Sequence, residues 1–264
     1  MLYFENIHKT FNKNTVNEKM VINDLSLHLK KGEFVTVIGG NGAGKSTMLN
    51  LIAGVYPPDR GRIILDGESM TNLPEYKRAK HLGRVFQDPM MGTAANMEIQ
   101  ENLAMAYRRG KHRGLRWGIT KEEKILYVDK LKNLNLGLED RMSSKVGLLS
   151  GGQRQALTLL MATLSQPKIL LLDEHTAALD PKTADRVMDL TQKIVTSNNL
   201  TTLMITHNMK QAIMYGNRLI MMYEGKIIFD VKGEEKSKLQ VADLLQKFES
   251  ISRGGFANDR MILS

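Results

Sequence analysis

Cysteine is missing from all 264 residues. A disulfide scaffold and a thiolate metal site are thereby excluded, and a reducing compartment fits. No apolar run approaches the ~20 residues that a membrane-crossing helix needs, so the chain is not expected to span a bilayer by itself. A secretory leader is not expected either, because MLYFENIHKT carries charge from residue 5 and has no apolar signal region. Internal repeats and low-complexity segments are absent too. Acidic residues are scarce beside basic ones, 28 against 37, for a net charge of +9. Such a surplus can face nucleic acid, acidic headgroups, nucleotides or plain solvent. It is uneven: RRGKHRGLR at 108–116 holds five Arg or Lys, and Trp117 follows.

What is present is ordinary globular material, 42% hydrophobic and 25% charged. The length suits one large core, or one core with a subdomain. Residues 2–11 and 21–29 alternate as strands around the polar insert NKNTVNEK. FVTVI at 34–38 reads as a buried strand, 45–53 as a helix, RIILDG as a short strand, and LGRVFQDP at 82–89 as a strand ending at Pro89. A mostly helical stretch follows, with helical spacing over 97–109, 119–134 and 151–164. The α/β rhythm then returns: strand KILLLDE, helix 180–197, strand TTLMITH, a short helix over NMKQAIMYG, and a hairpin turning at Glu224–Gly225. A last helix is predicted over roughly 237–248, and SRGGFANDR reads as a tail. Strands alternating with helices predict a parallel sheet covered on both faces.

Three motifs carry chemistry. Gly39-x-x-x-x-Gly44-Lys45-Ser46 follows a strand and opens a helix, the context a phosphate loop requires. Its glycines let backbone N–H groups approach phosphates closely. Lys45 reaches the outer phosphates, the Ser46 hydroxyl suits Mg²⁺, and Thr47 supports the α-phosphate. ILLLDE at 169–174 ends a buried strand on two carboxylates, at the strand end where open α/β sheets bind ligands. Asp173 there can hold Mg²⁺ through water, and Glu174 can polarise the attacking water. LLSGGQRQAL at 148–157 places Ser150, Gly151 and Gly152 before an apolar helix, a second anion-binding helix N-terminus.

The first two motifs specify only a nucleotide hydrolase. Leu149-Ser150-Gly151-Gly152-Gln153 narrows it, since that pentapeptide arises by chance only about a few times in ten thousand such chains. From about residue 2 to 231 the chain resembles the nucleotide-binding subunit of an ATP-binding-cassette (ABC) transporter. The resemblance implies the ABC ATPase fold: an α/β, RecA-like phosphate-loop core with a mixed sheet, an antiparallel β subdomain and a helical signature subdomain. One such domain would occupy 1–250, with 1–88 and 165–231 as the core and its β subdomain, and 89–164 as the helical part. Residues 232–264 would add a C-terminal helix and tail.

The resemblance also assigns roles. Phe11 would stack on adenine, with Tyr3 as the competing aromatic. Gly39, Asn41, Gly42, Ala43, Gly44, Lys45, Ser46 and Thr47 would cradle the phosphates of ATP. Gln87, in VFQDP, would touch Mg²⁺ at the junction of the two lobes, alongside Ser46 and Asp173. Glu174 would be the catalytic glutamate and His207 the γ-phosphate sensor, with Lys45 and Gln87 completing the catalytic set. Ser150, Gly151, Gly152, Gln153 and Asp180 would meet the nucleotide held by a second copy. Two phosphate cradles in one chain would then serve two different ATP molecules in a head-to-tail homodimer.

Two residues depart from the family pattern. His175 stands where proline usually follows the catalytic glutamate, and Ala177 opens the next loop where serine or glycine is usual. Neither change removes a catalytic group, and His175 would alter loop rigidity or add a pH-sensitive contact. With a single cassette, the resemblance implies a separate integral membrane permease, a peripheral position on the cytoplasmic membrane face, and no nucleic-acid partner. MGTAANMEIQENLAMAYRRGKHRGLRWGIT resembles the amino-acid-type importer group, whose solute-binding proteins take aromatic or related amino acids. The basic run within it would lie near anionic headgroups. The alternatives are an exporter ATPase and a non-transport ABC protein, such as an assembly factor.

Overall fold

The strand Phe34–Ile38 is buried at every residue. The computed structural model describes residues 1–111 and 118–252. Most of the basic run 108–116 and the tail 253–264 therefore fall outside the described residues. In chain order the first elements are β1 (Leu2–Phe11), β2 (Lys19–Leu29), β3 (Phe34–Ile38), α1 (Lys45–Ala53), β4 (Arg60–Leu65), β5 (Glu68–Ser69) and α2 (Glu75–Arg78). Next come β6 (Leu82–Val85), α3 (Ile99–Tyr107), α4 (Lys121–Lys132), α5 (Gly151–Thr163), β7 (Ile169–Asp173) and α6 (Pro181–Ser197). The chain continues through β8 (Thr201–Ile205), α7 (Met209–Met214), β9 (Arg218–Tyr223), β10 (Lys226–Lys232), α8 (Glu234–Ser237) and α9 (Val241–Ser252).

Two compact units result, one from residues 1–78 and 199–264, the other from 79–198. The first holds an antiparallel sheet ordered β2-β1-β4-β5. It also holds a mixed set in which β3 runs parallel to both β8 and β9, while β9 pairs antiparallel with β10. Helices α7 and α9 supply Met209, Ala212, Leu244 and Phe248 to a core with Ile38, Leu219 and Met221. The second unit pairs β6 parallel to β7 and surrounds them with helices. Its core joins Ile99 and Leu103 of α3, Tyr127 and Leu131 of α4, and Ala156 and Leu157 of α5. Each such fully buried aliphatic side chain contributes about 1.5–3 kcal/mol.

Most predicted elements are present, and three of the shifted boundaries have a visible cause. The strand expected over 82–89 stops at Val85, because Asp88 caps a 3₁₀ turn at Pro89–Gly92 by accepting from the Met90 N–H. The insert NKNTVNEK is one residue shorter than it reads, since Lys19 already pairs with Phe11 in β2. The last helix starts at Val241. Ahead of it, the separate turn α8 is fixed by Lys236, whose ammonium donates to the carbonyls of Ile213, Tyr215 and Gly216. Burial pushes that lysine down to about 8.

Candidate active site

In the first unit, β3 delivers the chain into the phosphate loop and α1 leaves it. The loop's shape requires glycine at two points. A Cβ on Gly39 (φ 153°) would sit 2.3 Å from the Met222 carbonyl oxygen, and one on Gly44 (φ 98°) would sit 2.8 Å from Ile22 Cδ1. Gly44 is also the N-cap of α1, whose first turn carries no acid. The orphan N–H groups and the positive end of the helix are thus left for an anion. Lys45 is only 6% exposed and folds back on the loop, donating to the carbonyls of Gly39 (2.7 Å) and Gly40 (2.9 Å). Residues 40–43 line a cavity of about 510 Å³ together with Lys19, Met20 and Val21 of β2 and Tyr223 at the end of β9. The hairpin turn closes one side, as Gly225 N–H donates to the Ala43 carbonyl (3.1 Å).

Phe11 ends β1 opposite Lys19 and meets the ring of Tyr56 edge-on at 5.0 Å. The competing aromatic, Tyr3, has a ring face covered by His28, stacked at 4.1 Å and 9°. His207 follows β8, where Thr206 N–H donates to the Val37 carbonyl of β3 (3.1 Å). The next residue, Asn208, caps α7 by accepting from the Gln211 N–H (3.0 Å). His207 is therefore fixed between a strand end and a helix cap.

In the second unit, Ser150 caps α5 in a reciprocal box. Its Oγ accepts from the Gln153 N–H (3.3 Å), and Gln153 Oε1 accepts from the Ser150 N–H (3.2 Å). The serine O–H remains a donor. Gly151 and Gly152 place no side chain over the first-turn N–H groups, and that turn has no acid. Gly152 also lets α5 and α6 touch: a Cβ there would sit 2.3 Å from Thr183 Cγ2. Arg154 fixes the approach to Ser150 by donating to the carbonyls of Val146, Gly147 and Leu149. Asp180 caps α6 by accepting from the Thr183 N–H (3.1 Å), and hydrogen bonding to Thr183 holds its carboxyl below the usual range.

β7 ends at Asp173, and Glu174 takes a left-handed backbone (φ 47°), rare for a non-glycine residue. Gln87 is exposed just past β6. Ser46, Gln87 and Asp173 offer only oxygen donors, the set Mg²⁺ prefers when it keeps waters and phosphate ligands. Among the described residues no cluster of three His, Cys, Asp or Glu side chains forms a metal cage.

Comparison with known proteins decides what these parts belong to. The family described as ABC transporter matches residues 22–177. A tyrosine transport ATP-binding protein from Clostridioides difficile is 47% identical over 249 residues, covering 94% of this chain and 99% of that one. The chain belongs to the ABC transporter family. A methionine import ATP-binding protein from Streptococcus agalactiae is 32% identical, over 96% of this chain and 70% of its own. Among solved structures, the dimeric post-hydrolysis state of the ATP-binding cassette MJ0796, bound to ADP and phosphate, superposes with a TM-score of 0.75. It is 30% identical and covers 88% of this chain and 98% of that one.

This ABC ATPase binds and hydrolyses ATP, as the subunit that powers an importer-type transporter. No helix among its described residues is long and apolar enough to cross a membrane. The structure gives its departure at His175 a physical setting. His175 is 2% exposed, and its Nε2 lies 3.0 Å from Thr191 Oγ1. The Thr191 hydroxyl donates to the Val187 carbonyl (2.7 Å), so it accepts from a neutral Nε2–H. Burial lowers the imidazole to about 4, which keeps it uncharged near neutrality. Sequence reasoning missed several partners of this cassette's motifs. Lys19 was hidden because it reads as part of the polar insert. Arg84 alone had a visible signal, a charge inside an otherwise apolar strand, LGRVF.

Proposed function

We propose that two copies of this cassette clasp two ATP molecules, and that each ATP lies between the phosphate loop of one copy and the α5 N-terminus of the other. The observation that carries this reading is the pair of acid-free, glycine-bearing helix N-termini in one chain, α1 and α5. Lys45 and the loop N–H groups hold the phosphates on one side. The Ser150 hydroxyl and the Gly152 N–H receive the γ-phosphate from the partner's side. Phe11 stacks on adenine, Glu174 orients and polarises the attacking water, and His207 senses the γ-phosphate. Ser46, Gln87 and Asp173 would hold Mg²⁺, which when bound would neutralise charge developing on the phosphates. Loss of the γ-phosphate removes contacts made only in the closed pair, so the pair opens.

The cassette works at the cytoplasmic face of the membrane beneath a separate permease. The second unit supports that partner by exposing apolar side chains after Gln87 in the chain, with Met91 69% and Met105 48% exposed. Methionines there suit a surface that must adapt to inserted helices. The imported solute is an amino acid of the aromatic class, by analogy with the protein named for tyrosine transport. A solute-binding protein delivers it.

Mixing tests the sandwich. A chain carrying Lys45→Ala and a chain carrying Ser150→Arg are each expected to be inactive alone. Together they form heterodimers with one intact pocket and regain turnover. No recovery despite demonstrated subunit exchange removes the sandwich.

A further inference from the structure

We propose that Arg84 is a tethered cation that occupies the Asp173 carboxylate when metal is absent and competes with the divalent ion for it. The inference rests on the reading of Asp173 as a Mg²⁺-holding acid. β6 and β7 run parallel with Arg84 opposite Leu171, so Arg84 and Asp173 stand on one face, two residues apart along neighbouring strands. The Arg84 guanidinium reaches to 3.8 Å from Asp173 Oδ2. Both side chains are largely buried, at 15% and 17% exposure, so solvent screens the pair little. The guanidinium also lies over the Phe86 ring, 4.5 Å from its centre, one residue before Gln87. The arginine thus contacts both an aromatic face and the carboxylate.

A positive charge about 4 Å from the acid lowers the negative potential that a second cation would meet. At 3.8 Å the pair is longer than a tight charge-assisted hydrogen bond, so it can be displaced. With a divalent ion bound at Asp173, the guanidinium would give up the carboxylate and keep its contact with Phe86. Arg84 thereby raises the metal concentration needed to fill the site and keeps the acid compensated between turnovers. This separates it from a positioning arginine, whose removal would weaken metal binding.

The test uses the full chain with Glu174→Gln to block hydrolysis and one equivalent of ATP. Mn²⁺ is titrated in, and its unbound fraction is followed by electron paramagnetic resonance. Arg84→Met is expected to lower the half-saturating Mn²⁺ at least about three-fold. ATP affinity without metal stays the same, and Arg84→Lys stays near the parent. Arg84→Gln serves if the methionine variant does not fold. In an Asp173→Asn background, removing Arg84 should have no further effect. An unchanged or raised half-saturation in Arg84→Met, with Asp173→Asn clearly weakened, overturns the competition alone. An Asp173→Asn protein that binds Mn²⁺ like its parent overturns the assignment of Asp173, and the competition with it.

Discussion

The phosphate loop and the α5 N-terminus both offer backbone N–H groups to an anion, yet they are built by opposite means. The loop bends through positive-φ glycines, is walled by β2 and the β9–β10 turn, and buries its lysine against its own carbonyls. The α5 end is an ordinary helix start, capped by Ser150 and preceded by Leu148, which is 72% exposed. The first is a cavity that one chain largely completes. The second is a surface awaiting another molecule. Strain and burial prepare the first cradle, whereas regular capping and bareness prepare the second.

The largest break in that comparison should come from Lys45→Ala. Removing the one ammonium inside the loop should cut nucleotide affinity and turnover by about 10³-fold, read by titration calorimetry and phosphate release. Gly152→Ala should instead spare binding by the single chain. Its methyl would collide with Thr183, and turnover should fall about ten-fold as α5 shifts. Thr183→Ser removes the opposing methyl and should restore the rate. If Gly152→Ala already weakens ATP binding at low protein concentration, the two cradles are not separate.

The wall behind the second cradle has its own pH signature. α6 packs against Gly152 through Thr183 and is tied to the Glu174 segment through His175 and Thr191. The folded imidazole sits near 4, against 6.5 in the unfolded chain. Its contribution is therefore complete above pH 6.5. Between 6.5 and 4 the unfolded chain takes up the proton, and stability falls by on the order of 3 kcal/mol. His175→Gln should flatten that acid limb in urea titrations. The smallest effect on folding belongs to Ser150→Ala, which loses one helix cap and about 1 kcal/mol of thermal stability.

Most of this architecture was readable locally. FVTVI followed by glycines and Lys45 specifies strand, loop and helix within twenty residues. Ser150 three residues before Gln153 specifies a capped helix. What escaped reading depends on groups distant in the chain. Arg84 meets Asp173 only through the register of strands nearly ninety residues apart. The final helix slips from 237–248 to Val241–Ser252 because Lys236 is consumed at the end of α7 and Gln240 N–H is taken by Asp243. Periodicity alone could not place a helix start fixed by a contact twenty residues upstream.

Lys236 has one more consequence. α7 begins two residues after His207, and the Ile213 carbonyl in its last turn and those of Tyr215 and Gly216 just beyond it are quenched by an ammonium that arrives only after β10. A chain trimmed at residue 231 would keep every motif from the phosphate loop to His207. It would nevertheless leave that short helix frayed, so the shortest durable ATPase must extend past the motifs themselves.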